Sequence, residues 1–156
     1  MERIKIYTDG ACRGNPGKGG WGVFIINGQE SKKIFGGKIE TTNNEMELTA
    51  AIKGLEFFNS PTDLDLYTDS KYVMDGINDW IHNWKKNGWK TANKKPVKRS
   101  NLWIELDKLN NFHDVKWYWI KGHSGDIGND MADELANQGI DSVSYTHLRA
   151  HETLAD

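Results

Sequence analysis

The sequence predicts an α/β fold: a mixed sheet of five strands, three antiparallel and then parallel ones, flanked by helices and carrying a basic protrusion. Three observations predict it. The chain opens with three short apolar segments separated by turn-forming residues. Strand-like and helix-like patterns then alternate. Among them lies a run of lysines and tryptophans that contains no acid.

Taken in order, residues 3–9 alternate as a strand, and residues 20–27 and 31–39 form two more, joined at Asn27-Gly28. Thr42 followed by Glu45 fits a capping box, with Asn43 a second candidate cap. The helix so opened runs to about Phe58, with Leu48, Ile52, Leu55 and Phe58 on one stripe, and Ser60-Pro61 ends it. Residues 64–68 form a fourth strand, and Ser70 caps a helix towards Asp79. Residues 81–99 read as a short helix followed by a basic loop. Residues 101–111 are helical, 115–120 form the fifth strand, and a Gly-rich loop leads to a last helix at 130–138.

A chain of 156 residues forms one domain with a sizeable core. It has no apolar run of 18 residues and no signal-peptide core, so no membrane partner is expected. Its single cysteine, Cys12, excludes an internal disulfide and points to the cytoplasm. A monomer is the expected state. The net charge of -2 hides an asymmetry. Residues 80–99 hold seven basic residues, among them Lys85, Lys86, Lys94 and Lys95, and the tryptophans Trp80, Trp84 and Trp89. The remainder is strongly acidic. A basic, aromatic segment on an acidic body points to a polyanion; a solvated helix face with tryptophans packed beneath it is the alternative.

Four acids occupy special positions. Asp9 and Asp69 each follow an apolar strand within a Tyr-Thr-Asp triplet, at the carboxyl edge where open sheets meet ligands. Glu47 lies in the first turn of its helix, with Ala50 and Ala51 leaving it room. Asp133 lies in the first turn of the last helix. Singly, Asp69 and Asp133 could serve only as helix caps or dipole partners. Gathered at one sheet edge, four carboxylates would repel one another unless divalent cations neutralised them. Two such ions roughly 3.5–4 Å apart suit in-line displacement at phosphorus. The stretch IYTDGACRGNPGKGGWG around Asp9 has two readings: a hairpin turn, or a carboxylate beside a backbone that a large ligand can approach.

Five segments, YTDGACRGNPGKGGWG (7–22), TTNNEMELTAAIKGLE (41–56), YTDSKYV (67–73), WIHNWKKNGWKTANKKPVK (80–98) and WIKGHSGDIGNDMADELA (119–136), resemble ribonuclease HI in order and spacing. The resemblance implies the ribonuclease H-like fold and endonucleolytic hydrolysis of the RNA strand of RNA–DNA hybrids, leaving 5′-phosphate and 3′-hydroxyl ends. It implies Asp9, Glu47, Asp69 and Asp133 as ligands of Mg²⁺, with Mn²⁺ able to substitute. Two ions are expected with substrate bound, Asp9 bridging both. It implies His123 as a loop residue for proton transfer or product release. Cys12, Asn15, Asn43 and Asn44 would face the hybrid's minor groove. Thr42 would belong to a phosphate pocket for the DNA strand. Trp80 and the basic segment, with Trp84, Trp89, Lys85, Lys86, Lys94 and Lys95, would form a handle along that strand.

Two positions depart from the commonest family pattern: Glu45, where many relatives are basic, and Lys71, where some carry Gln. Both bear on substrate affinity. Three other classes were weighed: a non-catalytic hybrid binder, a ribonuclease H domain from a reverse transcriptase, and a related exonuclease or integrase. The intact acids, the Met1 start with its basic handle, and the GNPG and TNNEMEL pair argue against them in turn. The segment from Ser142, SVSYTHLRAHETLAD, is similar to translated cloning adaptor and lacks clear periodicity. It is set apart from a domain at 1–141 as a non-native or disordered tail at 142–156, and His147 and His151 are excluded from the site.

Overall fold

The computed structural model describes the backbone of residues 3–155 and the side chains of residues 3–143. Five strands form one sheet: β1 (Ile4–Arg13), β2 (Gly17–Asn27), β3 (Glu30–Thr41), β4 (Asp63–Thr68) and β5 (Asp114–Trp119). Their order is β3-β2-β1-β4-β5. The first three are antiparallel, and β4 and β5 continue the sheet in parallel, as expected from the sequence.

The first strand is longer than its apolar pattern indicates. The Gly-rich stretch after Asp9 was expected to leave the strand. Instead β1 continues to Arg13 and stays paired with β2, from Lys5 opposite Ile26 to Arg13 opposite Lys18. Apart from Gly14 in the turn, the glycines there are strand residues at close approaches. A Cβ on Gly20 or Gly22 would strike the backbone of the last helix at Ala136 and Ala132. A Cβ on Gly10 would strike the backbone of Met46 and Glu47.

Helix α1 (Asn43–Glu56) starts where Thr42 accepts a hydrogen bond from the Glu45 N–H. Glu45 does not complete a reciprocal box; its carboxylate pairs with Lys38 at 2.7 Å. Ser70 caps α2 (Lys71–Asp75) by accepting from the Val73 N–H. The helical path then continues through a π turn at Gly76–Trp80 into α3 (Ile81–Lys86), where two separate helices had been expected. The insertion is a packing solution: a side chain on Gly76 would run into the Trp103 ring. Helix α4 spans Ser100–Phe112.

Helix α5 runs from Ile127 to Ala155. It begins ahead of the predicted 130 because Asp126 caps it, accepting from the Asn129 N–H at 2.9 Å. It continues past 138 into the segment that the sequence set apart; His147 and His151 lie outside the described side chains.

The two faces of the sheet are covered differently. Ile6, Val23, Leu64 and Leu66 pack with Leu48, Leu55, Trp103 and Leu106 of α1 and α4. Each such fully buried aliphatic side chain stabilises the fold by about 1.5–3 kcal/mol. On the other face α5 crosses β1, β2 and β3, resting on the glycines of β2. Among the described residues no helix is long and apolar enough to cross a membrane.

Candidate active site

Parallel pairing between β1 and β4 ends at Thr8 opposite Thr68. The next residue on each strand is an aspartate. Asp9 and Asp69 therefore emerge side by side from adjacent strands, which lie roughly 4.8 Å apart. Gly10 brings α1 against the sheet, and its N–H donates to both Asp9 Oδ1, at 2.9 Å, and Glu47 Oε1. Glu47 is the fifth residue of α1, so it sits one turn in rather than in the first turn. Asp9, Glu47 and Asp69 each offer a carboxylate oxygen, all within 4.8 Å of one another.

These acids line a cleft of about 530 Å³ together with Asp133, Asn43, Asn44, Cys12 and His123. Asp133 stands on the second turn of α5, not the first, because the helix starts earlier than predicted. It lies within hydrogen-bonding range of Asp9 but outside the tight trio. Asp9 is 6% exposed and Glu47 4%. Burial pushes both carboxyls well above their ordinary range, and the neighbouring negative charges push Asp9 further. Without a cation this pair is harder to ionise than exposed carboxyls are. An all-oxygen donor set under mutual repulsion fits a hard divalent cation, whose charge would restore both groups to carboxylates.

The remaining residues singled out by sequence fall into three places. Around the cleft, Asn15 accepts a hydrogen bond from the Asn43 N–H at 3.2 Å, tying the β1–β2 turn to the start of α1. Cys12 points at the Gly14 carbonyl, and burial pushes its thiol up, so it is a packed small residue and no activated nucleophile. The hairpin reading of this stretch is realised, β1 turning back into β2 at Gly14–Pro16. His123 lies exposed on the loop before α5 with a left-handed backbone, φ 57°. Its neighbour Gly122 passes over Asp69; a Cβ there would stand 2.8 Å from Asp69 Oδ2.

The basic segment divides. Trp84 and Trp89 pack against the core, Trp84 meeting Trp103 at 5.4 Å between ring centroids, so the packed-tryptophan alternative accounts for them. Trp80 is exposed on the π turn, set against Tyr72. Lys85 is paired with Asp107 at 3.2 Å. Lys86, Lys94 and Lys95 are exposed. Buried Val97, whose N–H donates to the Trp89 carbonyl, anchors the C-terminal end of the basic segment to the core.

Arg99 escaped the sequence reading because it closes a run of lysines and was counted with them. Its guanidinium lies over the Tyr72 ring and donates to Thr42 Oγ1 at 3.0 Å. The signal was its residue type: a planar, forked cation next to a helix start serves stacked or bidentate contacts better than lysine does. Thr42 therefore has a cationic partner that sequence spacing did not reveal.

A family model described as RNase H matches residues 1–141. The chain is 62% identical over 145 residues to a Ribonuclease H of Ruthia magnifica, covering 92% of this chain and 99% of that one. It is 59% identical over 150 residues to a Ribonuclease H of Alcanivorax borkumensis, covering 96% and 99%. Among solved structures it resembles LC9-RNase H1, a type 1 RNase H with the type 2 active-site motif, with TM-score 0.81, 29% identity, and coverage of 89% and 72%. It also resembles LC11-RNase H1 in complex with RNA/DNA hybrid, with TM-score 0.69, 25% identity, and coverage of 90% and 99%.

Proposed function

The chain belongs to the ribonuclease H family, and from that premise we propose that it hydrolyses the RNA strand of RNA–DNA hybrids internally, leaving 5′-phosphate and 3′-hydroxyl ends. The single observation that carries the proposal is the convergence of Asp9, Glu47 and Asp69, with oxygens within 4.8 Å of one another. Asp9, Glu47, Asp69 and Asp133 would hold two divalent ions, Mg²⁺ in the first instance with Mn²⁺ as substitute. Such ions, when bound, activate water for in-line attack at phosphorus and stabilise the leaving oxygen.

The chain's own residues do the rest. The Gly10 N–H holds Asp9 and Glu47 in fixed orientation, so the ligand oxygens need no reorganisation. Asn43 and Asn44, on the cleft wall, offer amides to the 2′-hydroxyls of the RNA strand, which tell RNA from DNA. Thr42 and Arg99 grip a phosphate of the DNA strand. Trp80, Lys86, Lys94 and Lys95 track that strand beyond the cleft. These contacts address sugar and phosphate, so cleavage is independent of base sequence. His123 hands a proton to the leaving oxygen or eases product away from the loop. A monomer acting in the cytoplasm completes the proposal.

The test is incubation with labelled RNA–DNA hybrid, double-stranded RNA, single-stranded RNA and double-stranded DNA, each with Mg²⁺ or with EDTA. Internal RNA cuts in the hybrid alone, and only with Mg²⁺, are the expected result. Tight hybrid binding with no cleavage in Mg²⁺ or Mn²⁺ would replace the enzyme with a binding module.

A further inference from the structure

Among the described residues, Lys71 is the one lysine or arginine in the cleft lining, two residues beyond Asp69 in the chain. A cation so placed has an obvious partner in the three clustered carboxylates. Yet it takes none: among the described residues no ion pair involves Lys71. Its ammonium instead lies over the face of Trp119, 5.1 Å from the ring centroid. That ring is fixed in turn, because the Trp119 indole N–H donates to the Asp69 carbonyl at 3.1 Å. Trp119 is the last residue of β5, so the seat for the ammonium is built into the sheet edge.

The arrangement answers a problem of Coulomb competition. A lysine beside metal-ligand carboxylates could collapse onto them and occupy the position a divalent ion needs. An aromatic face within about 6 Å offers the ammonium an alternative of useful strength and fixed direction. Held there, the charge remains at the cleft, available to an anionic ligand, while the carboxylate oxygens remain open.

We propose that Lys71 grips a backbone phosphate of the strand lying over the acidic cluster, and that Trp119 is a positioning residue that keeps Lys71 off the metal ligands. The proposal rests on the hybrid-cleavage reading above.

Two measurements test it without relying on turnover. The first is hybrid binding in EDTA, followed by fluorescence anisotropy across a KCl series. Lys71→Gln is expected to weaken binding by about 3–10-fold at moderate salt and to flatten the log K against log salt line by about 0.9, the value of one phosphate contact. An unchanged slope overturns the phosphate assignment. The second is Mn²⁺ binding by calorimetry on protein without nucleic acid. Trp119→Leu is expected to lower Mn²⁺ affinity several-fold, and Trp119→Leu with Lys71→Gln to restore it. Equal losses in the single and double variants overturn the positioning role. Trp119→Phe keeps a ring face but gives up the N–H that fixes it, and is expected to lose less Mn²⁺ affinity than the Leu variant. A loss equal to that of the Leu variant also overturns it, and thermal melts report whether each variant folds. Failure of the parent protein to cut hybrid would strike the functional reading; failure of these shifts in an active enzyme strikes only this proposal.

Discussion

The acidic cleft and the basic segment handle charge in opposite ways. In the cleft, short side chains on rigid elements hold like charges together while burial keeps water out, and Asp9 and Glu47 are almost inaccessible. In the basic segment, long side chains stand in solvent, Lys86, Lys90, Lys94, Lys95 and Lys98 among them. Trp84, Trp89 and Val97 pack it against the core. The cleft therefore concentrates its chemistry in groups that cannot replace one another. The basic segment spreads its charge over side chains that can.

This contrast can be broken most sharply at Asp69. Asp69→Asn is expected to cut turnover by about a thousandfold or more, because a ligand oxygen is lost from a preorganised site, while hybrid binding in EDTA stays near parental. Comparable losses in both would mean that the cleft grips as well as cuts. Next in size is the removal of Lys86, Lys94 and Lys95 together. Binding is expected to weaken by one to two orders of magnitude at moderate salt, with a slope shallower by about 2–3. Adding Lys85→Ala is expected to change little more, since Lys85 already has Asp107. An equal further step from Lys85 would show that its ion pair opens for substrate.

A smaller effect sharpens the energetic side. The folded-state pKa values of Asp9 and Glu47 lie above their ordinary 3.8 and 4.5. The folded protein then binds more protons than the unfolded chain, and stability falls as pH rises from about 4 through the raised values. Asp9→Asn removes part of that loss. In metal-free protein its melting temperature is expected to match the parent near pH 3 and to exceed it by roughly 3–6 °C at neutral pH, about 1–2 kcal/mol. Saturating Mg²⁺ should shrink the difference by stabilising the parent. A metal-free parent that melts higher than Asp9→Asn at neutral pH would contradict the repulsion described for the cleft. Smallest of all, deletion of residues 144–156 is expected to leave hybrid cleavage within twofold, since the proposed site residues all precede it and the family match ends at 141. A collapse of folding would make that segment part of the domain.

The strands and the acids were readable because each carries a local signature. Apolar alternation gives β1, β4 and β5, Thr42 and Ser70 announce helices, and Tyr-Thr-Asp recurs at both strand ends. What stayed hidden depends on distant partners. The glycines after Asp9 spell a turn locally, but the approach of α1 and α5 makes them strand. The π turn at Gly76–Trp80 answers to Trp103, far along the chain. The capping of α5 by Asp126 was concealed by a Gly-rich loop with several plausible starts. Arg99 and Lys71 look like ordinary surface charges until Thr42, Tyr72 and Trp119 are brought beside them.

The glycines of β2 carry a last consequence. Because Gly20 and Gly22 let α5 lie directly on the strand, the span between Asp133 and Asp9 is set by side chains that are missing. A methyl group at Gly22 would act as a shim, lifting the helix and opening the jaw of the cleft with every acid still in place. Gly22 stands directly opposite Asp9 in the β1–β2 register, so variation at a residue that offers no ligand atom can tune or silence the centre, and an inactive relative with all its acids intact is best searched first along this seam.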